Sequence, residues 1–96
     1  MGLDKLIREK RDEILRIAAK HGVTKMRVFG SAARGESGKG SDIDFLIEVN
    51  GPTTPWFPGG LVADLEQLLG RHVDLVEPDA LREPLRQHVL QEAIPL

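Results

Sequence analysis

Cysteine is absent from this 96-residue chain, which excludes a disulfide framework, a thiolate zinc site and a cysteine nucleophile, and fits a reducing cytoplasm. Long apolar runs are missing too. None approaches the ~20 residues that a membrane helix requires, and the opening Met1-Gly2-Leu3-Asp4-Lys5-Leu6-Ile7-Arg8-Glu9-Lys10-Arg11 is charged and amphipathic, unlike a secretory signal. Nor is there an excess of charge of one sign: 13 Lys and Arg stand against 15 Asp and Glu, a net charge of -2. The long-range field that would draw a nucleic-acid backbone is therefore lacking unless basic residues segregate onto one face, and polymeric nucleic acid is a disfavoured partner. No internal repeat, low-complexity tract or dividing linker is visible. The expectation is one small soluble, cytoplasmic domain over residues 1–96, with a single core and no second domain to hold a substrate, so any large binding surface must come from a partner.

What is present reads as alternating helices and strands. Leu3, Leu6, Ile7, Ile14, Ile17 and Ala18 recur at helical spacing with charged residues between them, predicting one long first helix closed near His21-Gly22, with Lys20 placed to favour its dipole. Met26-Arg27-Val28-Phe29 is a short β-competent run halted by Gly30. A short helix is expected from Ser31, with Ser31 as its cap and its positive end toward the Gly-Ser turn. A polar loop over Glu36–Ser41 then leads into a second strand at Asp42–Val49. Residues 51–60 are dense in Gly and Pro, carry the only Trp, and read as a loop. Leu61, Val62, Leu65, Leu68 and Leu69 mark another helix ending at Gly70, His72–Val76 a third strand, and Leu81, Leu85 and Val89, with Leu90 and Ile94, a last helix started or interrupted at Pro84 and stopped by Pro95.

Gly30-Ser31, ten intervening residues, then Asp42-Ile43-Asp44 is the most informative pattern. On a strand, side chains two apart share a face, so Asp42 and Asp44 project together. Like charges so close raise each other's pKa and are best tolerated with a cation between them. Hard carboxylate oxygens suit Mg²⁺, which takes one or two carboxylates and completes its shell with water and phosphate oxygens. The Gly30-Ser31 pair offers backbone N–H groups and a hydroxyl to such phosphates. Alone, an Asp-x-Asp is usually a solvated strand face; its company here argues for a site.

Val28-Phe29-Gly30-Ser31-Ala32-Ala33-Arg34-Gly35-Glu36 followed by Ser41-Asp42-Ile43-Asp44-Phe45-Leu46-Ile47 resembles the signature of the DNA polymerase β-like nucleotidyltransferases, and in its small size and Ala-Arg-Gly-Glu segment most closely the minimal nucleotidyltransferases. The resemblance spans nearly the whole chain. It implies an α+β fold, a small mixed β-sheet with helices packed on one face. It implies that Gly30 and Ser31 hold a nucleotide triphosphate, that Asp42 and Asp44 ligate Mg²⁺, with two ions expected, and that Asp74 is a third metal-binding carboxylate that helps activate the acceptor hydroxyl. The reaction implied is transfer of AMP from ATP with release of pyrophosphate. Two-metal phosphoryl transfer needs carboxylates converging on one small volume and positive groups facing the leaving pyrophosphate. Arg34 is the nearest candidate for the latter and Lys39 a second.

The resemblance further implies a separate helical HEPN-type protein as partner, the pair forming a toxin–antitoxin module in which the transferase is the antitoxin and modifies a tyrosine of the toxin. Two rival functions stand beside this: a non-catalytic nucleotide-binding antitoxin or scaffold module, which would have no need of three carboxylates, and a transferase acting on a small molecule, which would need a dimer cleft or second domain to complete its pocket. Bland alternatives remain at single residues. Asp74 could simply point outward, and Arg34 could form a surface ion pair with Glu36. His21, His72 and His88 read as capping, surface or structural groups. Trp56-Phe57 could stack on a base, anchor the loop or form a partner patch.

Overall fold

In a computed structural model, residues 4–36 and 40–96 are described. The long first helix is divided in two, α1 (Lys5–Glu9) and α2 (Arg11–Lys20), by a distortion at Lys10 with φ -101° and ψ 9°. Hydrogen bonds carry across the junction, from Lys10 N–H to the Leu6 carbonyl and from Ile14 N–H to the Lys10 carbonyl. The bend follows from where the N-terminal turn is tied: Asp4 donates its backbone N–H to the Ala32 carbonyl and its carboxylate takes Arg71 at 3.0 Å, while α2 lies along the first strand. Leu3, expected at the start of this helix, lies outside the described residues.

Strands β1 (Val23–Phe29), β2 (Ile43–Val49), β3 (Val73–Val76) and β4 (Ile94–Pro95) form one sheet in the order β3-β2-β1-β4. β1 runs antiparallel to β2 and β4, and β2 parallel to β3, so the sheet is mixed. β1 begins three residues earlier than the apolar run suggested, because Val23 joins the core although Thr24 and Lys25 are exposed. The last helix ends sooner than its periodicity suggested. A 3₁₀ turn over Pro78–Ala80 precedes α5 (Leu85–Glu92), and Ile94–Pro95 then pairs with Val28 and Arg27. Proline, which has no N–H to donate, is tolerated there because β4 is an edge strand.

Ile43, Phe45 and Ile47 project from one face of the sheet with Met26 and Val28, and meet Ile7, Ile14 and Ala18 of α1 and α2 and Leu61, Leu65 and Leu69 of α4 (Gly59–Leu69). Burying each such large aliphatic side chain stabilises the fold by about 1.5–3 kcal/mol. α1, α2 and α4 thus form the expected layer of helices on one face. The opposite face carries Asp44, Leu46 and Glu48 of β2, opposite Phe29, Arg27 and Lys25 of β1. Leu46 and Val89 are buried outside the main core, and Arg86 and Leu90 of α5 border the same hollow as Arg27 and Glu48, which sets α5 along this second face. The short helix α3 (Ser31–Arg34) sits between β1 and β2. Among the described residues no helix is long and apolar enough to cross a membrane.

Candidate active site

The carboxylates meet through strand register. Phe29 pairs with Asp44 across the antiparallel ladder, and Asp44 pairs directly with Asp74 across the parallel one. Residues opposite one another project to the same side. Asp74, though exposed, therefore stands on the same side of the sheet as Asp44, and its charge bears on the Asp44 carboxyl. Asp42, exposed and one residue ahead of β2, acts on Asp44 through its charge. Burial raises the Asp44 carboxyl above the usual carboxylate range, and the neighbouring charges of Asp74, Asp42 and Glu92 push it the same way. Among the described residues no three carboxylates or imidazoles are gathered into a ready-made metal shell. The donor set nevertheless fits a hard divalent cation, since crowded carboxylates lose their mutual repulsion when one binds between them and Mg²⁺ needs only one or two of them.

Gly30 closes β1 at φ 72° and ψ -153°, a region that is essentially restricted to glycine. A Cβ at this position would stand 2.6 Å from Asp44 Oδ2. The glycine thus lets the Asp44 carboxylate lie directly against the turn. Gly30, rather than Ser31, is the cap of α3, and no side chain caps that helix; Ser31 is its first residue. The cap role goes to Gly30 because its left-handed φ is what turns the chain out of β1.

Arg34 is half exposed and donates from Nε to Glu36 at 2.9 Å and from Nη1 to Glu92 Oε1 at 2.8 Å. Its protonated form is favoured chiefly by the bond to Glu36. The surface pair foreseen for Arg34 therefore exists, but the same guanidinium also leans toward the Gly30 turn, because Glu92 Oε1 accepts the Gly30 N–H at 2.6 Å as well. Glu92 gave no signal in the sequence: it lies 62 residues from Gly30 on a helix whose face toward the site depends on how β4 docks. Lys39 lies outside the described residues.

Arg71 supports the site from behind. It donates from Nε to the Ser41 carbonyl at 3.1 Å and from Nη1 to Asp4 at 3.0 Å, fixing the backbone just before Asp42. His21 takes the capping rather than the surface role expected of it, at the C-terminal end of α2. It is 5% exposed and bridges Thr54 Oγ1, through Nδ1 at 2.5 Å, and Asp64 Oδ2, through Nε2 at 2.7 Å. Burial follows because the loop over residues 51–58 folds back on the end of α2. That loop is anchored by Thr54 and by Phe57 against the core, leaving Trp56 88% exposed. His72 and His88 are exposed as expected, near Glu66 and Glu92 respectively. The hollow of about 260 Å³ beside Arg27, Glu48 and Arg86 does not include the carboxylates, which form an open surface site.

A family model for the nucleotidyltransferase domain matches residues 7–96. The chain belongs to the nucleotidyltransferase family. A Methanocaldococcus jannaschii protein provisionally named as a protein adenylyltransferase is 35% identical over 92% of this nucleotidyltransferase and 95% of its own length. A solved structure provisionally assigned as a minimal nucleotidyltransferase is 43% identical, covers 100% of this chain and 97% of its own, and superposes with a TM-score of 0.84. The crystal structure of a toxin–antitoxin with AMP-PNP, 22% identical, shares the fold, with a TM-score of 0.72 over 88% of this chain and 69% of that one. The mixed four-stranded sheet is thus that of a minimal nucleotidyltransferase.

Proposed function

We propose that this nucleotidyltransferase moves AMP from ATP onto a protein, with Mg²⁺, and that the acceptor is a helical HEPN-type toxin for which it serves as antitoxin. The single observation that carries the proposal is the placement of Asp44 between the Gly30 turn, which it lies against, and Asp74, with which it is in register. The names of its relatives lend support: a protein adenylyltransferase in one case and a toxin–antitoxin with AMP-PNP in another.

In this proposal Asp42 and Asp44, with Asp74, hold the metal. When bound, Mg²⁺ would polarise the α-phosphate and offset the charge developing around it. The Gly30 N–H and Ser31 hydroxyl donate to triphosphate oxygens, and Arg34 faces the leaving pyrophosphate, whose charge it offsets. Asp74, the more exposed of the strand pair, takes the proton of the acceptor hydroxyl. The acceptor oxygen bonds to the α-phosphorus as the bond from that phosphorus to the bridging oxygen breaks, and pyrophosphate leaves.

Incubating the protein with Mg²⁺, ATP labelled on its α-phosphate and a co-encoded helical partner is the test. Label on the partner, lost in Asp44→Asn, is expected. A tight complex that stays unlabelled, and forms equally well with Asp44→Asn, would make the chain a binding module instead.

A further inference from the structure

Two donors beside the metal-site carboxylates already hold an anion supplied by the chain itself. Glu92 Oε1 accepts the Gly30 N–H at 2.6 Å and Arg34 Nη1 at 2.8 Å. Both bonds converge on one carboxylate oxygen, and the Glu92 side chain is only 18% exposed. A backbone amide and a guanidinium meeting at one anionic oxygen also suit a phosphate oxygen, since charge-assisted donors of this kind serve carboxylate and phosphate alike.

The surroundings make Glu92 a poor permanent tenant. It adds a further negative charge to those already bearing on Asp44, the smallest of them. Its attachment is also conditional. Glu92 is the last residue of α5, Ala93 turns extended, and the chain is then held to the edge of β1 by the two-residue strand β4 and the bond from Leu96 N–H to the Met26 carbonyl. So short an edge strand is the kind of element that opens at low cost.

We infer that the Glu92 carboxylate occupies a phosphate seat of the nucleotide site and must be exchanged for a triphosphate oxygen before ATP binds, so that Glu92 sets nucleotide affinity. This rests on the proposed nucleotide-binding function and adds its regulation. An anion carrying more charge, and bringing its own cation for the aspartates, displaces Glu92 from Gly30 and Arg34. The released carboxylate then turns toward solvent with the end of α5. Anything that holds the C-terminal arm against β1 opposes nucleotide binding, and anything that draws it away favours binding.

The experiment compares wild type, Glu92→Gln and Glu92→Ala for binding of magnesium tripolyphosphate and of adenosine by calorimetry, and for the KM and kcat of ATP in partner labelling. Glutamine keeps the shape and removes the charge, so it guards against loss of folding in the alanine variant. Tripolyphosphate affinity is expected to rise about tenfold in Glu92→Ala, the equivalent of one charge-assisted contact no longer competed for, and by less in Glu92→Gln. Adenosine affinity should not change, and KM for ATP should fall while kcat stays within about a factor of two. Unchanged or weaker tripolyphosphate binding in both variants, with wild type binding normally, overturns the exchange and leaves the proposed function intact. If none of the three proteins binds tripolyphosphate or ATP, the nucleotide site itself is refuted and the exchange falls with it.

Discussion

Replacing Gly30 with alanine tests the contact on which the site depends. The added Cβ would meet Asp44 Oδ2 at 2.6 Å, so the carboxylate or the turn must shift by about 0.8 Å to restore ordinary contact. At φ 72° and ψ -153° an alanine also carries backbone strain of about 1–3 kcal/mol. Together these predict a loss of about 2–3 kcal/mol, which for a domain of this size lowers Tm by roughly 10–20 °C. Because the displaced group is a carboxylate proposed to hold the metal, the folded fraction should also lose about a hundredfold in the proposed AMP transfer, the usual consequence of a misplacement near 1 Å. Urea denaturation supplies the stability change, and label transfer at a temperature where the variant is folded supplies the rate. Gly59→Ala is the matched control: nothing beyond its chain neighbours and its own helix backbone lies within 4 Å of its added Cβ, and a helix position gains up to about 1 kcal/mol from glycine to alanine. A Gly30→Ala protein that melts and transfers like wild type would refute the close packing of Asp44 on the turn.

Asp74→Asn should return the Asp44 carboxyl toward its ordinary range, raise the metal-free Tm by removing one repulsive neighbour, and lower transfer by at least about a hundredfold; carboxyl NMR titration, thermal melting and labelling report the three effects. Arg71→Ala should cost about 3 kcal/mol in urea denaturation, since it removes the guanidinium that binds both the nearly buried Asp4 carboxylate and the Ser41 carbonyl ahead of Asp42. The hydrogen bond from His21 lowers the Asp64 carboxyl from its ordinary value, so the unfolded chain binds that proton more readily. The pair's contribution is therefore present above about pH 4 and lost as pH falls through the folded value; Asp64→Asn should flatten the acid limb of the stability curve.

Local spacing was the legible part of this protein. The Gly30-Ser31 turn, the strand that carries Asp44, and the glycine-terminated helix before Asp74 all follow from periods of two and 3.6 residues and from turn chemistry, whereas Asp42, expected to open that strand, lies one residue ahead of it. What brings Asp74 to Asp44 is the parallel register of β2 and β3, which no local period encodes; only the resemblance to a family carried that expectation. His21 does cap α2 at its C-terminal end, but its burial was not legible for the same kind of reason, since it depends on Thr54 and Asp64 arriving from 33 and 43 residues away. The two residues of β4 are too few to show a period, and so the last helix was extended through Ile94. Glu92 was invisible until β4 placed it beside Gly30.

Crystals grown with Mn²⁺ and AMP-PNP offer the most direct measurement, because the anomalous signal of manganese locates the metal independently of the nucleotide. Peaks within coordinating distance of Asp44 and at least one of Asp42 and Asp74, with triphosphate oxygens on the Gly30 N–H, are the expected result. Nucleotide bound away from Gly30, or manganese bound without those aspartates, would contradict the assignment of this strand pair as the catalytic centre.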